Sequence, residues 1–339
     1  MKFSSEKRNS IVQYILEKIK AQTPGLSRCV AETFGISANT VHTYLNDLLE
    51  SNVIRKAKRG QYELVAEKHF YELRRSRGEL DSDTYAYDLC LQPHIAHLPD
   101  NVQRIWSYAF SEMINNVMDH SGAETLKIVI LQDYLSTQTL IWDNGVGIFQ
   151  KIKEHFHLSN LDEAICELFK GKLTTDEANH SGEGIFFTSK MMDTFLIESD
   201  GKIFATTKYD NDTILNEEEV SCGTCVFMSL SNLTHKHARD VFDAYSDDDG
   251  SFSKTRIPLK NIFDTAPVSR SQAKRICNRL DQFQEIVLDF ADLDWMGQGF
   301  AHQIFVVYQN AHPDTTLTPI NMNESVMKMY KHVMQSKQS

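Results

Sequence analysis

The chain has 339 residues, of which 41% are hydrophobic and 24% are charged, and its formal net charge at pH 7 is −11. This length predicts two or three domains, and the composition is typical of a globular protein. The polar first residues predict no signal peptide, the apolar runs are too short for a membrane span, and six scattered cysteines disfavour a disulfide framework. We therefore expect a cytoplasmic protein without membrane contact.

Positive charge is concentrated at the start of the chain. Residues 1–65 contain ten Lys and Arg against six Asp and Glu, so this part has a net charge of +4 and the remainder has −15. A small basic unit on an acidic body indicates that only the N-terminal part suits a polyanionic partner.

The first 65 residues predict three helices and two strands. Apolar residues at helical spacing predict a helix over 6–20, and a Pro-Gly break separates it from a second helix over 26–34. Ser37 is a candidate N-cap for a third helix over 38–50, and two short strands over 53–64 flank a basic, glycine-containing turn. The order of these elements resembles a winged helix-turn-helix domain over residues 1–65.

The resemblance implies DNA binding through the third helix and the basic strands. The exposed face of the helix would enter the major groove, and the strand side chains would contact phosphates. The alternative is a winged helix that serves protein contacts or dimerisation, so a homodimer stays open. The candidate DNA-binding residues are Asn39, Thr40, His42, Thr43, Arg55, Lys56, Lys58 and Arg59.

Residues 66–94 are predicted to be a linker that includes a charged helical piece over 67–77. A long helix over 102–118 follows it. On this helix Glu112 and Asn116 are four residues apart and Asp119 is three further on, so all three project from one face. Taken alone, a carboxylate beside a carboxamide is equally typical of a solvated polar face.

Two strands and two glycine-rich turns come after this helix. Strands are predicted over 125–132 and 137–143, and the second ends in the run DNGVGI, residues 143–148. Gly182-Glu183-Gly184 opens a further helix, where free backbone amides and the helix dipole favour an anion. Gly223-Thr224 then precedes a strand. The glycines let the backbone approach a ligand closely.

In this order and spacing the elements strongly resemble the GHKL nucleotide-binding domain of gyrases, heat-shock chaperones, histidine kinases and mismatch-repair ATPases. That domain is an α/β sandwich and would cover residues 95–240. The matching motifs are EMINNVMDHS, DNGVGI, SGEGIFF and the terminal Gly-Thr strand. The resemblance therefore implies that the chain binds ATP together with Mg²⁺.

The family's roles transfer to individual positions of this chain. Asn116 would coordinate Mg²⁺, Asp143 would bind the adenine amino group, and residues 149–181 would form a mobile ATP lid. Lys170 or Lys172 of that lid would either reach the phosphates or be solvated. The ATP-binding residues that the resemblance implies are Asn116, Asp119, His120, Asp143, Gly145, Gly147, Ile148, Gly182, Glu183, Gly184 and Thr224.

Glu112 separates the branches of this family and is the candidate catalytic residue. Sensor histidine kinases usually carry Asn at that position. In hydrolysing members and in anti-sigma-type serine kinases the residue is Glu, which acts as a general base on a water or a hydroxyl. The serine-kinase branch also carries a His at the position of His120, so the motif resembles that branch. Phe186 departs from the family's pattern, since many members have a further glycine at that position.

Residues 251–339 predict a small α/β domain, because strands and helices alternate. The segment EIVLDFADLDWMGQGFAHQIF resembles the STAS-like family found at the end of bacterial GHKL proteins. True STAS antagonists offer a phosphorylatable Ser at the start of this helix, but the turn over 294–299 contains no Ser or Thr. Docking of a protein partner is therefore favoured, with Gln298, Gly299 and His302 as candidate contact residues. Core or capping roles are at least as typical of these three positions.

These predictions together describe a cytoplasmic bacterial regulator of the α+β multidomain class. In it ATP occupancy, with slow hydrolysis by Glu112, would change the relation between a DNA-binding domain and a STAS-like partner module. The main alternative is a serine/threonine protein kinase of the anti-sigma type that acts on a separate partner. The third is an ATP-gated protein-interaction module without DNA binding.

Overall fold

The computed structural model describes residues 4–58, 60–173, 182–207, 222–263 and 265–336. Over these ranges the chain is a mixed α and β multidomain protein with a two-stranded, a six-stranded and a three-stranded sheet. None of the helices in these ranges combines the length and the apolar character that crossing a bilayer requires.

The N-terminal unit contains the three helices and two strands that its sequence predicts. The hydroxyls of Ser4 and Ser37 accept hydrogen bonds from the backbone N–H groups of Lys7 at 3.3 Å and Thr40 at 3.1 Å, so each begins a helix as an N-cap. The elements are α1 (Ser5–Lys20), α2 (Leu26–Phe34), α3 (Ala38–Glu50), β1 (Ile54–Lys58) and β2 (Gln61–Leu64).

The central unit is a six-stranded sheet in which all neighbouring strands are antiparallel. Its order is β3-β4-β5-β8-β6-β7, and alternate residues of β4 are buried, as one covered face requires. The strands are β3 (Glu67–Arg74), β4 (Thr125–Gln132), β5 (Ser136–Asp143), β6 (Thr194–Ser199), β7 (Lys202–Ala205) and β8 (Thr224–Ser231).

The helices of the central unit lie between these strands in the chain. The long helix predicted over 102–118 is confirmed, and it continues into a π-helical turn at Val117–Ser121. The helices are α4 (Asp83–Ala86), α5 (Gln92–Ile95), α6 (Asp100–Asn116), α7 (Ile148–His155), α8 (Leu161–Lys170), α9 (Gly184–Met191) and α10 (Ala238–Tyr245).

The helical piece predicted over residues 67–77 is wrong, because most of this segment is strand β3. All eight residues of β3 pair with β4, from Glu67 opposite Gln132 to Arg74 opposite Thr125. Charged side chains are common on edge strands, where they disfavour pairing with another chain, and in this segment their pattern resembles that of a helical surface. The segment predicted as a linker therefore includes the edge of the six-stranded sheet.

The N-terminal unit docks on the turn between β4 and β5. Leu135 of that turn is buried in the apolar core of the N-terminal unit, and Leu233 packs against the same core. The Lys20 ammonium donates to Ser136 Oγ at 2.9 Å and lies 3.4 Å from a carboxylate oxygen of Asp133. One end of strand β5 is therefore in contact with the N-terminal unit.

The third unit is a three-stranded parallel sheet with helices between its strands. β10 lies in the middle and pairs in parallel with both neighbours, so the predicted alternation of strands and helices is confirmed. Its elements are β9 (Lys254–Pro258), α11 (Leu259–Ile262), α12 (Arg270–Cys277), β10 (Glu285–Asp289), α13 (Gln298–His302), α14 (Gln309–Ala311), β11 (Thr316–Ile320) and α15 (Glu324–Ser336).

Helix α8 joins the central and third units. The buried apolar side chains of both units belong to one continuous cluster, whereas the N-terminal unit has a core of its own. Helix α8 contacts β9, α11 and α12 of the third unit. Helix α8 is therefore packed against both units.

Candidate functional site

A cavity of about 280 Å³ lies between helices α6 to α9 and strands β5, β6 and β8. It brings together residues that are more than 100 positions apart in the chain. Eight of the predicted site residues line it, namely Glu112, Asn116, His120, Asp143, Ile148, Gly182, Gly184 and Thr224.

Helix α6 and its continuation supply the polar wall of the cavity. Glu112, Asn116 and His120 line it at intervals of four residues. Asp119 is exposed and does not line the cavity, contrary to the prediction that it shares this face. The π-helical turn at Val117–Ser121 explains the difference, because its wider turn rotates Asp119 outwards and His120 inwards.

Asp143 lies at the end of β5, and its side chain is only 3% exposed. One of its carboxylate oxygens accepts a hydrogen bond from the backbone N–H of Gly145 at 2.7 Å. Burial raises the pKa of Asp143 to about 6, although hydrogen bonds from the backbones of Gly145 and Thr224 act in the opposite direction. The cavity thus holds a desolvated carboxylate with capacity for a further donor.

Thr224 fixes the start of helix α7 beside this carboxylate. Its hydroxyl accepts a hydrogen bond from the backbone N–H of Ile148 at 3.0 Å. Gly223 before it has a φ of +83°, and a Cβ there would overlap the backbone carbonyl of Asp143. Only glycine fits this position, so the Gly-Thr pair shapes the deep end of the cavity.

Helix α9 begins at Gly184, directly against the Glu112 side chain. A Cβ at Gly184 would overlap the Glu112 carboxylate, so the close approach depends on glycine. The first backbone N–H groups of a helix have no partner within the helix and favour an anion. An acidic residue that could act as a base therefore lies beside an anion-favouring helix start.

Three more of the predicted residues do not line the cavity, although each is next in the chain to a lining residue or bonded to one. Gly145 donates to Asp143, Gly147 directly precedes α7 and lies close to Ser199 and Asp200, and Glu183 directly precedes α9. Only part of each glycine-rich turn therefore faces the cavity.

Lys170 and Lys172 do not line the cavity, and both are bonded to the third unit, which neither of the two predicted alternatives describes. The Lys170 ammonium is 1% exposed, pairs with Glu167 at 2.7 Å and donates to the carbonyl oxygens of Arg275 at 2.9 Å and Asn278 at 2.7 Å. Lys172 donates to the carbonyl oxygen of Gln282 at 2.8 Å. Both lysines are bonded to the third unit, but only Lys170 is buried, and local sequence does not reveal these contacts. Residues 174–181 of the predicted lid lie outside the described residues.

Lys151 is a cavity residue that the sequence motifs do not indicate. It lies on α7, one turn after Ile148, and its ammonium donates to the backbone carbonyl of His120. The apolar part of the wall was also not predicted, although helical spacing from Ile148 would have indicated Ile152. Further apolar lining comes from Met113, Val146, Leu168, Ile185, Phe186, Ile197 and Val226.

The predicted DNA-binding residues lie on one unit and are largely exposed. Asn39, His42 and Thr43 are exposed on α3, whereas Thr40 is half-buried and its hydroxyl is hydrogen-bonded to Ser37 at 2.9 Å. On β1, Arg55, Lys56 and Lys58 are exposed, and Arg55 pairs with Glu63 at 3.0 Å. Arg59 lies outside the described residues.

The turn before α13 in the third unit carries an exposed tryptophan. Trp295 is 48% exposed, and Gln298 at the start of α13 is also exposed. Gly299 and His302 are half-buried, so they offer less surface to a partner than the prediction assumed.

Two family models match the ends of the chain. Residues 1–77 match the family described as Firmicute plasmid replication protein (RepL). Residues 272–327 match the family described as STAS-like domain of unknown function (DUF4325). No curated protein matches the chain. The chain thus has an N-terminal domain similar to RepL and a C-terminal STAS-like domain, and neither match includes the cavity between them.

Proposed function

We propose that the chain is an ATP-binding regulatory switch of the GHKL type, in which the state of the cavity is coupled to a DNA-binding domain and to a STAS-like interaction domain. The observation that carries the proposal is the convergence of buried Asp143, the Glu112–Asn116 pair and the start of α9 on one cavity. These groups match, in kind and order, what adenine, Mg²⁺ and phosphates require.

The nucleotide would lie with its base at the deep end of the cavity. The Asp143 carboxylate accepts from the adenine amino group, and the apolar side chains of Ile148 and Ile197 pack against the base. The phosphates extend towards Gly184, where backbone N–H groups at the start of α9 favour negative charge.

The donors at the phosphate end fit a magnesium ion that is shared with the nucleotide. Asn116 offers an amide oxygen, and magnesium in such sites takes few protein ligands in addition to phosphate oxygens and water. The ion, when bound, neutralises charge on the phosphates. Glu112, beside Gly184, is placed to accept a proton from a nucleophile that attacks the terminal phosphate.

Coupling to the STAS-like domain would run through α8 and the residues after it. Leu168, Gly171 and Leu173 line the cavity. On the opposite side of the same segment, the Arg279 guanidinium donates to the Lys172 carbonyl oxygen at 3.1 Å and the Thr255 hydroxyl donates to the Lys170 carbonyl oxygen at 2.7 Å. A ligand that moves this wall shifts the STAS-like domain as well, by its different affinity for the two arrangements.

Coupling to the DNA-binding domain would run along β5. Asp143 ends this strand inside the cavity, and Ser136 begins it in contact with Lys20 of α1. The RepL-like match and the exposed basic residues of β1 support DNA as the partner of the N-terminal domain. The exposed Trp295 supports a protein partner for the STAS-like domain.

Asp143→Asn tests the nucleotide site directly. We expect its affinity for ATP to be about 10- to 100-fold lower, because the charged acceptor for the adenine amino group is lost. Isothermal titration of the wild-type chain and the variant with ATP and Mg²⁺ measures the change. Asp162→Asn on α8, which lies outside the cavity lining, is the matched control. Unchanged ATP affinity in Asp143→Asn would contradict the proposed site.

The pKa of Asp143 makes the same interaction pH-dependent. Because its pKa is raised to about 6, the carboxyl is ionised at pH 7.5 and increasingly protonated below pH 6. Protonation removes acceptor capacity, so wild-type affinity falls as the pH drops from 7.5 to 5. Protonation of ATP itself affects the wild type and Asp143→Asn equally. The additional fall in affinity that protonation of Asp143 causes is expected to be absent in Asp143→Asn.

For the N-terminal domain, we expect replacement of Arg55 and Lys58 by alanine to lower DNA affinity and to reduce the slope of log K against log salt by about 2. Fluorescence anisotropy with a duplex at several salt concentrations measures both quantities, with ATP, ADP and no nucleotide compared. Arg104→Ala, on an exposed arginine of the acidic central unit, is the control. If the wild-type chain binds no duplex at low salt, the interaction module without DNA is the better description.

A further inference from the structure

The phosphate end of the cavity needs a positively charged side chain in addition to a metal ion. Glu112 and Asp143 both line the cavity, and a nucleoside triphosphate adds several more negative charges. Lys170 and Lys172, the predicted sources of positive charge, are bonded to carbonyl oxygens of the third unit. A positive charge for the phosphates must therefore come from another side chain.

Among the described residues that line the cavity, Lys151 is the one Lys or Arg. It lies on α7 between Ile148 and Ile152, which also line the cavity, so its stem follows the cavity wall. Its ammonium donates to the carbonyl oxygen of His120, near the end of the π-helical turn. An ammonium has three donor hydrogens, so this bond leaves capacity for a ligand oxygen.

The position of Lys151 determines which phosphate group of a bound nucleotide its ammonium can contact. Along the polar wall, Glu112 is followed by Asn116 and then by His120. At one end of this row the Glu112 carboxylate lies against Gly184, the first residue of α9. At the other end the His120 carbonyl oxygen accepts from the Lys151 ammonium. A chain of phosphates that ends at Gly184 therefore has its far end beside Glu112. The end that joins the nucleoside lies towards His120.

We propose that Lys151 binds the phosphate group nearest the nucleoside and thereby distinguishes nucleotides from nucleosides. The inference rests on the proposed ATP site and adds a specificity-determining residue to it. When a phosphate binds, the ammonium adds an oxygen of that phosphate to its partners, as lysine does at phosphate sites as a point charge.

The surroundings of Lys151 suit this role. Burial lowers its pKa, and the nearby charge of Asp119 raises it. A phosphate placed beside the ammonium supplies a second negative charge that favours the protonated form. Asp119, exposed and outside the cavity, thus supports the site through Lys151 without direct contact with the ligand.

The test compares a ligand series on the full chain. Affinities for adenosine, AMP, ADP and ATP, the latter two with Mg²⁺, are measured by titration for the wild type, Lys151→Met, Lys151→Arg and Lys153→Met. Lys153 is on the same helix but does not line the cavity, so Lys153→Met is the matched control. Methionine keeps an unbranched apolar stem and removes the ammonium, together with its hydrogen bond to the His120 carbonyl oxygen.

We expect Lys151→Met to bind AMP, ADP and ATP about 10- to 100-fold more weakly than the wild type, since a charged hydrogen bond is lost. Adenosine affinity should change less than about threefold, because adenosine has no phosphate, and Lys151→Arg should retain most of the nucleotide affinity. Lys153→Met should behave as the wild type.

Three results would overturn the inference while leaving the ATP site intact. One is unchanged nucleotide affinity in Lys151→Met, and the second is an equal loss for adenosine, which indicates a role in shaping the cavity only. The third is a loss for ATP alone, which places the ammonium at the outermost phosphate. A wild-type chain that binds none of the four ligands would instead contradict the proposed function itself.

Discussion

Replacement of Glu112 by glutamine is expected to lower the rate of phosphate release from ATP by about 10²- to 10⁴-fold, which is the usual contribution of a general base. ATP affinity should change little, because the base acts on the nucleophile and not on the bound ground state. Phosphate release is measured at saturating ATP with Mg²⁺, and affinity by titration of the same preparations.

The expected effect follows from where the Glu112 carboxylate lies. It is against Gly184 at the start of α9, where the terminal phosphate is proposed to bind. In the proposed reaction, the Glu112 carboxylate would accept a proton from the attacking water as the terminal phosphoryl group passes to that water and ADP leaves. Glutamine has a similar shape but cannot accept this proton, so binding survives and turnover does not.

Labelled ATP separates hydrolysis from protein phosphorylation in the wild-type chain. With labelled ATP and a cell extract, a wild-type chain that labels a protein acts as a kinase, in which a hydroxyl replaces water as the nucleophile. Release of phosphate without labelling indicates the ATPase switch. Glu154→Gln, on an exposed glutamate of α7, is the control for charge change. Turnover that persists in Glu112→Gln would show that another group is the base.

Replacement of Lys170 by methionine is expected to lower the free energy of unfolding by about 3–5 kcal/mol, because it leaves a buried carboxylate without its main partner. Lys170 is 1% exposed and Glu167 is 3% exposed, so water cannot replace the lost ammonium. Glu167 would keep the Asn278 amide at 3.1 Å and the Arg279 guanidinium at 3.6 Å. Chemical denaturation at pH 7 measures the change.

A second substitution distinguishes an unpaired charge from lost packing. In the double variant Lys170→Met with Glu167→Gln the buried carboxylate is gone, so part of the lost stability should return. Lys260→Met, on an exposed lysine of α11 in the third unit, should change stability by less than about 0.5 kcal/mol. A loss below about 1 kcal/mol in Lys170→Met would contradict the account of this ion pair.

Lys170 also reports on the coupling between the units. The carbonyl oxygens of Arg275 and Asn278, which accept from it, lie near the end of α12 in the STAS-like domain. Loosening this contact should increase hydrogen exchange in α8 and α12 together, since the two helices share the junction. An increase confined to one of them would indicate that the units move independently.

Local sequence patterns predicted the elements whose formation depends on neighbours in the chain. The strand over 125–132 is predicted with the bounds that it has in the structure, because alternation and flanking turns define it locally. Strand β3 has no such local signal, since its partner β4 begins about fifty residues later. An isolated run of charged residues does not reveal such a partner.

The candidate site was predictable where the chemistry lies in motifs and unpredictable where it depends on packing. Asp143, Gly184 and Thr224 follow from their glycine-rich runs. Lys151 lines the cavity because α7 packs against the turn that follows α6. Lys170 does not line it, because a domain about 100 residues further along the chain buries its side chain. Neither event has a signal within the neighbouring sequence.

The connection between the N-terminal unit and the six-stranded sheet is very short. Only residues 65 and 66 lie between β2 and β3, and the N–H of Val65 is bonded to the carbonyl oxygen of Val53 at 3.0 Å. A duplex held by this unit would keep a fixed rotational setting relative to the rest of the chain. When two copies bind neighbouring sites on one duplex, the strength of contact between them should vary with the distance between the sites, with a period of about 10.5 base pairs. A flexible tether would remove this dependence.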